Sequence, residues 1–121
     1  MLAPAPRPLK DLIHQLEQAA GDAARRLRHA RDRSIARTSG TLALRAEALL
    51  LAHVLDRPWA EIQSDVRKLA MAFVQLEFVA TRSRLPIADR AAITMGRALA
   101  AQVNMALAQQ AKASTAFPSL A

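Results

Sequence analysis

The chain has 121 residues and a formal net charge of +7, from 17 Lys and Arg against 10 Asp and Glu; this fits one domain and leaves little room for two. Apolar residues make up 52% and charged residues 22%, too apolar for intrinsic disorder, yet charges recur too often for the run of about 20 apolar residues that a membrane span needs. Cysteine is absent, which excludes disulfides, thiolate nucleophiles and Cys-based zinc or iron–sulfur centres.

The opening residues, Met1 to Pro8, hold three prolines and lack the basic start and apolar run of a secretory signal. A cytoplasmic protein is therefore expected, with residues 1–7 flexible. Ala occurs 28 times and Leu 17 times, against three Gly and no Tyr. Strong helix formers dominate, strand formers are scarce, and no stretch alternates cleanly between apolar and polar. The expected fold class is all-α: a single up-down bundle of about four helices over residues 8–112, one helix long, self-associating, with a flexible tail at 113–121.

Proline followed three residues later by a carboxylate marks three helix starts: Pro8 with Asp11, Pro58 with Glu61, Pro86 with Asp89. Proline suits the first helical position, and the carboxylate meets the positive end of the helix dipole. Thr41 after Gly40 marks a fourth, as an N-cap behind a helix-ending glycine.

The first helix is predicted from Pro8 to Arg37, with Leu9, Leu12, Ile13, Leu16, Ala20, Ala23, Leu27, Ala30 and Ser34 facing inward. It would be about 45 Å long. One continuous helix is the expectation, with a kink or break at Gly21-Asp22, which interrupts the pattern, as the alternative.

The second helix, Thr41 to Leu55, carries Leu42, Leu44, Leu49, Leu50, Leu51, Val54 and Leu55 in nearly every direction. A helix apolar all round is a buried one, so this helix is expected at the centre of the core.

The third helix, Pro58 to Arg82, has a heptad seam of Trp59, Ile62, Val66, Leu69, Phe73, Leu76 and Ala80. Met71, Val74 and Phe78 form a second stripe beside it. The fourth, Pro86 to Lys112, presents Ala92, Met95, Leu99, Val103, Ala106 and Leu107, with Gly96 among them. Small residues there let a partner backbone approach. Short links force antiparallel neighbours. A first helix about twice as long as the second leaves Leu9 to Leu16 without an internal partner, an argument for a homo-oligomer.

Residues with chemistry to offer are few. His14 with Glu17 and His53 with Asp56 lie one turn apart, but a di-iron bundle needs Glu-x-x-His on two helices and the order here is reversed. Glu47 and Glu77, set among apolar residues, are candidates for acid–base work if burial separates their pKa values; pairing with Arg45, Arg82 or Arg84 is the plainer expectation. No serine sits in a nucleophile elbow, and the three glycines stand too far apart for a phosphate loop. Leu55 to Ile62 resembles the first corner of a helix-turn-helix, but the third-helix heptad then runs on without a second turn. No enzyme activity, cofactor or metal is expected.

Charge is concentrated instead. Arg25, Arg26, Arg28, Arg31, Arg33 and Arg37 fall within 13 residues, with Asp32 the only acid among them. An Arg28–Asp32 pair at i, i+4 would still leave five arginines without a local partner. Guanidinium forks bind phosphate oxygens bidentately, so phosphate is the natural target. Scarce aromatics argue against single strands, which need stacking platforms. Leu27 and Ile35 are too few apolar residues for a membrane surface. The expectation is a non-enzymatic regulatory or accessory protein contacting duplex nucleic acid, DNA before RNA, through these six arginines. An adaptor or inhibitor docking on an acidic protein surface is the alternative, and a merely solvated Arg-rich face the plainest one.

Overall fold

Proline opens the helices one position earlier than expected. Pro8 and Pro58 are N-caps with extended backbone, and their carbonyls accept the first helical bonds, from Asp11 at 3.0 Å and Glu61 at 3.0 Å. The Pro86 carbonyl accepts from Asp89 at 3.1 Å in the same way. The computed structural model describes residues 8–116, with side chains described for 8–110. The helices are α1 (Leu9–Leu27), α2 (Arg33–Val54), α3 (Trp59–Arg82) and α4 (Ile87–Ala116). Each runs beside its two neighbours in the order α1, α2, α3, α4 and back to α1; among the described residues no diagonal pair brings its Cα atoms within 8 Å. The result is an all-α four-helix up-down bundle. No described helix is long and apolar enough to cross a membrane.

The first helix does not reach Arg37. It stops at Leu27, the chain turns over Arg28 to Asp32, and α2 begins at Arg33. Gly21-Asp22 causes no break, and Gly40 and Thr41, expected at a helix boundary, lie inside α2. A helix continued past Leu27 would turn Ala30 and Ser34 inward; with the turn, Ile35 is buried and Ser34 is exposed. The long helix is α4, with 30 residues against 19 in α1. It runs to Ala116, into the stretch expected as tail; residues 1–7 and 117–121, expected to be flexible, lie outside the described residues.

With the phase reset, three helices show heptad seams. α2 buries Ile35, Ser39, Leu42, Ala46 and Leu49; α3 buries Ile62, Val66, Leu69, Phe73, Leu76 and Ala80. α4 buries Ile93, Gly96, Ala100, Val103 and Leu107, a stripe offset from the expected one, so that Met95 is 63% exposed. Ser39 is the one buried polar side chain among the described residues, and its hydroxyl donates to the Ala36 carbonyl at 2.9 Å. α2 is not buried all round. Leu44, Leu51, Val54 and Leu55 stand in solvent, because each helix of a square bundle has only two neighbours. Trp59, expected in the seam, is 40% exposed at the start of α3.

α2 ends in a Schellman motif: Arg57 N–H donates to the Ala52 carbonyl at 3.0 Å and Asp56 N–H to the His53 carbonyl at 3.2 Å. Asp56 takes the left-handed conformation there, φ 54°, a position that Asp tolerates better than most residues.

α3 and α4 meet closely at one point in the core. The Phe73 ring lies so near Gly96 that an added Cβ would overlap Phe73 Cε1 and Cζ. Helix propensity alone would favour Gly96→Ala by about 1 kcal/mol. Overpacking against a fully buried ring costs about 1–3 kcal/mol, so the net effect is destabilising. Gly40→Ala meets nothing within 4 Å and should stabilise by about 0.5–1 kcal/mol. Urea melts of the two variants should therefore shift in opposite directions; a stabilised Gly96→Ala would show that the ring has room to move.

Candidate functional site

The six arginines of the basic segment share a corner, not one helical face. Arg25 and Arg26 lie in the last turn of α1, Arg28 is its C-cap, and Arg31 is in the turn. Arg33 opens α2 and Arg37 follows one turn later. The corner is held from inside and at its base. Leu27 and Ile35, at 0% and 1% exposure, enter the core from its two sides. Ala30 N–H donates to the Leu27 carbonyl at 3.0 Å, and the Asp32 carboxylate accepts from Ser34 N–H at 2.9 Å, capping α2.

Arg28 and Asp32 lie in the turn and not on one helix, so the expected i, i+4 pair between them does not form. The other two carboxylates nearby are also engaged. Asp22 accepts from Arg26 Nε at 3.0 Å and lies 3.8 Å from Arg25; Asp89, reaching over from α4, is 3.9 Å from Arg26. Arg28, Arg31, Arg33 and Arg37 have no carboxylate within 4 Å among the described residues.

Between α1 and α2 runs a groove of about 450 Å³, lined by Ala24, Arg25, Arg28, Arg33, Ala36, Arg37 and Gly40. A second depression at the same end holds Arg26, Arg31 and Arg84, but also Asp32 and Asp89. The up-down order brings the α3–α4 turn to this end, and with it Arg82, Arg84 and Arg90. Sequence reasoning missed these three; the Ser83-Arg84-Leu85 link between antiparallel helices was the available signal. The Arg82 guanidinium lies 4.5 Å from the centre of the Phe78 ring.

The opposite end is mixed. Asp11, Glu17, Asp56, Glu61 and Asp65 sit towards it together with Lys10, Arg57, Arg67 and Lys68, and Arg57 is bound to Glu61 at 3.0 Å. Helix dipoles cancel in pairs at each end of an up-down bundle, so the asymmetry comes from side chains.

Among the other charged residues, Arg45, Arg67 and Lys68 line a groove between α2 and α3 together with Arg37, whereas the histidines converge on nothing. His14 and His29 are exposed and His53 is half-buried. Among the described residues no three His, Asp or Glu come close enough to hold a metal ion. Glu47 is exposed, while Glu77 accepts from Arg97 of α4 at 2.9 Å and not from Arg82 or Arg84. α3 runs unbroken from Trp59 to Arg82, so the helix-turn-helix has no second turn. No protein family, curated protein or solved structure matches the chain.

The cap makes the corner testable on its own. Asp32→Ala should cost about 1 kcal/mol, whereas Asp32→Asn, which removes the same charge but keeps an acceptor, should cost little. Equal melts for the two variants would mean that the corner does not depend on the cap.

Proposed function

We propose that the protein is a small non-enzymatic binding protein that holds duplex nucleic acid by its phosphate backbone, in a regulatory or accessory role. One observation carries this: four arginines, Arg28, Arg31, Arg33 and Arg37, share one corner without a carboxylate partner among the described residues. Such clustering is costly to an isolated protein and favourable beside a polyanion, where each guanidinium replaces a condensed counterion. Stacking surfaces are poorly placed for single strands: Trp59 lies at the opposite end and Phe78 beneath Arg82. DNA is favoured over RNA because 2′-hydroxyl recognition uses groups that accept as well as donate, and guanidinium only donates.

Four phosphate contacts give a slope of log K against log salt near −3.5, at about −0.9 per phosphate. Replacing Arg28, Arg31, Arg33 and Arg37 together with Gln should bring the slope close to zero and weaken all sequences alike. Helix content should survive, since Gln and Arg have similar helix propensity. Absence of duplex binding by the wild type at about 50 mM salt would overturn the proposal and favour an acidic protein surface.

Self-association belongs to the same proposal, on a different observation from the one the sequence offered. α1, with 19 residues, does not outreach α2, with 22. Leu44, Leu51 and Leu55, each at least 58% exposed, instead form an outward stripe on α2. A second copy lying antiparallel on this stripe keeps the two basic ends apart, as a two-fold contact allows. Light scattering should give a dimer, and Leu44→Lys with Leu51→Lys a monomer of unchanged helix content. A wild-type monomer at high micromolar concentration would remove the second copy without affecting the fold.

A further inference from the structure

We infer that the α1–α2 groove is a discrete seat for two or three linked phosphate groups, and not just part of a diffuse basic surface. The inference rests on the phosphate-binding function proposed above and narrows it to one place. Arg25 and Arg28 wall the groove from α1, Arg33 and Arg37 from α2. Among the described residues three of these four have no carboxylate partner; the fourth, Arg25, has only Asp22 at 3.8 Å, with its own side chain 73% exposed.

Depth comes from small residues. Ala24, Ala36 and Gly40 lie between the arginines, and a Cβ at Gly40 would meet nothing within 4 Å. Ordinary side chains at these positions would close the space. At about 450 Å³ it has the size of a ligand site. One phosphate would leave some of the four guanidiniums without a partner, whereas two or three linked phosphates match them all, each fork taking two oxygens. The neighbouring depression around Arg31 and Arg84 includes Asp32 and Asp89, which repel an anion. Linked phosphates occur both along a duplex backbone and in free polyphosphates, so both sources are probed.

Gly40→Leu fills the groove without changing charge, and Gly40→Ala controls for helix propensity. Arg33→Gln removes a wall, and Arg31→Gln removes the same charge outside the groove. Calorimetry with inorganic tripolyphosphate should show affinity falling about tenfold for Gly40→Leu and for Arg33→Gln, a loss of about 1.4 kcal/mol, with little change for the other two variants. Equal losses for Arg31→Gln and Arg33→Gln, with Gly40→Leu unchanged, would overturn the seat. So would a wild type that ignores tripolyphosphate.

A short DNA duplex distinguishes the sources. A parallel loss of duplex affinity in Gly40→Leu supports a seat for the backbone; unchanged duplex affinity beside a lost tripolyphosphate site supports a seat for free polyphosphate. Tripolyphosphate binding with no duplex binding keeps the seat and removes the proposed function. Duplex binding with no tripolyphosphate binding does the reverse.

Discussion

Leu27 and Ile35 are eight residues apart, and both must reach the same core. A continuous helix would put consecutive residues about 100° apart and could not keep Ile35, Ser39 and Leu42 in line with the seam that ends at Leu27. Turning the chain over Arg28 to Asp32 resets the phase, and the cap by Asp32 on Ser34 N–H starts the second helix at the right angle. The antiparallel α1–α2 pair, the square arrangement and the meeting of two turns at one end all follow from that reversal. Arginines that would have spread along about 20 Å of one helix are gathered at its corner as a result.

The class and three of the four helix starts were legible because composition and the Pro-x-x-acid pairs agree with each other; the fourth start was placed at Thr41, whereas α2 begins at Arg33. So was α3, whose seam from Ile62 to Ala80 is buried as its spacing predicts. The first boundary was not legible. Arg28-His29-Ala30-Arg31 contains no glycine or proline, and Asp32 is a cap only because Ile35, and not Ser34, faces inward. Gly40 looked like a terminus but is a helical glycine, and its signature resembles a C-cap only when the following phase is misjudged. The leucines of α2 misled for a different reason: an all-round apolar pattern signals burial only where neighbours surround the helix, and Leu44, Leu51 and Leu55 have none.

For the arginines, the sequence located the residues but not their geometry. Their identity and clustering were legible, because six cations against one acid need no fold to be noticed. Their division was not. Arg26 is engaged by carboxylates one turn back and across on α4, while Arg28, Arg33 and Arg37 face a groove whose floor is made of two alanines and a glycine. Distant residues decide that division: Asp89 takes part because the bundle brings the start of α4 to the same end.

The corner sets two opposing terms against each other. Burial of Leu27 and Ile35 draws the ends of α1 and α2 together, at about 1.5–3 kcal/mol for each side chain removed from water. Repulsion among guanidiniums drives them apart, and it weakens with salt over about 10 Å at 0.1 M. Packing wins, which is why the helices stay paired, but the repulsion is not removed; it is held in the groove between Arg25, Arg28, Arg33 and Arg37. An anion seated there gains by direct contact and also relieves that repulsion. Ligand affinity and bundle stability are then coupled through one pair of helices, and a polyanion that binds only the folded chain must stabilise it by an amount that grows with the logarithm of its concentration over its Kd.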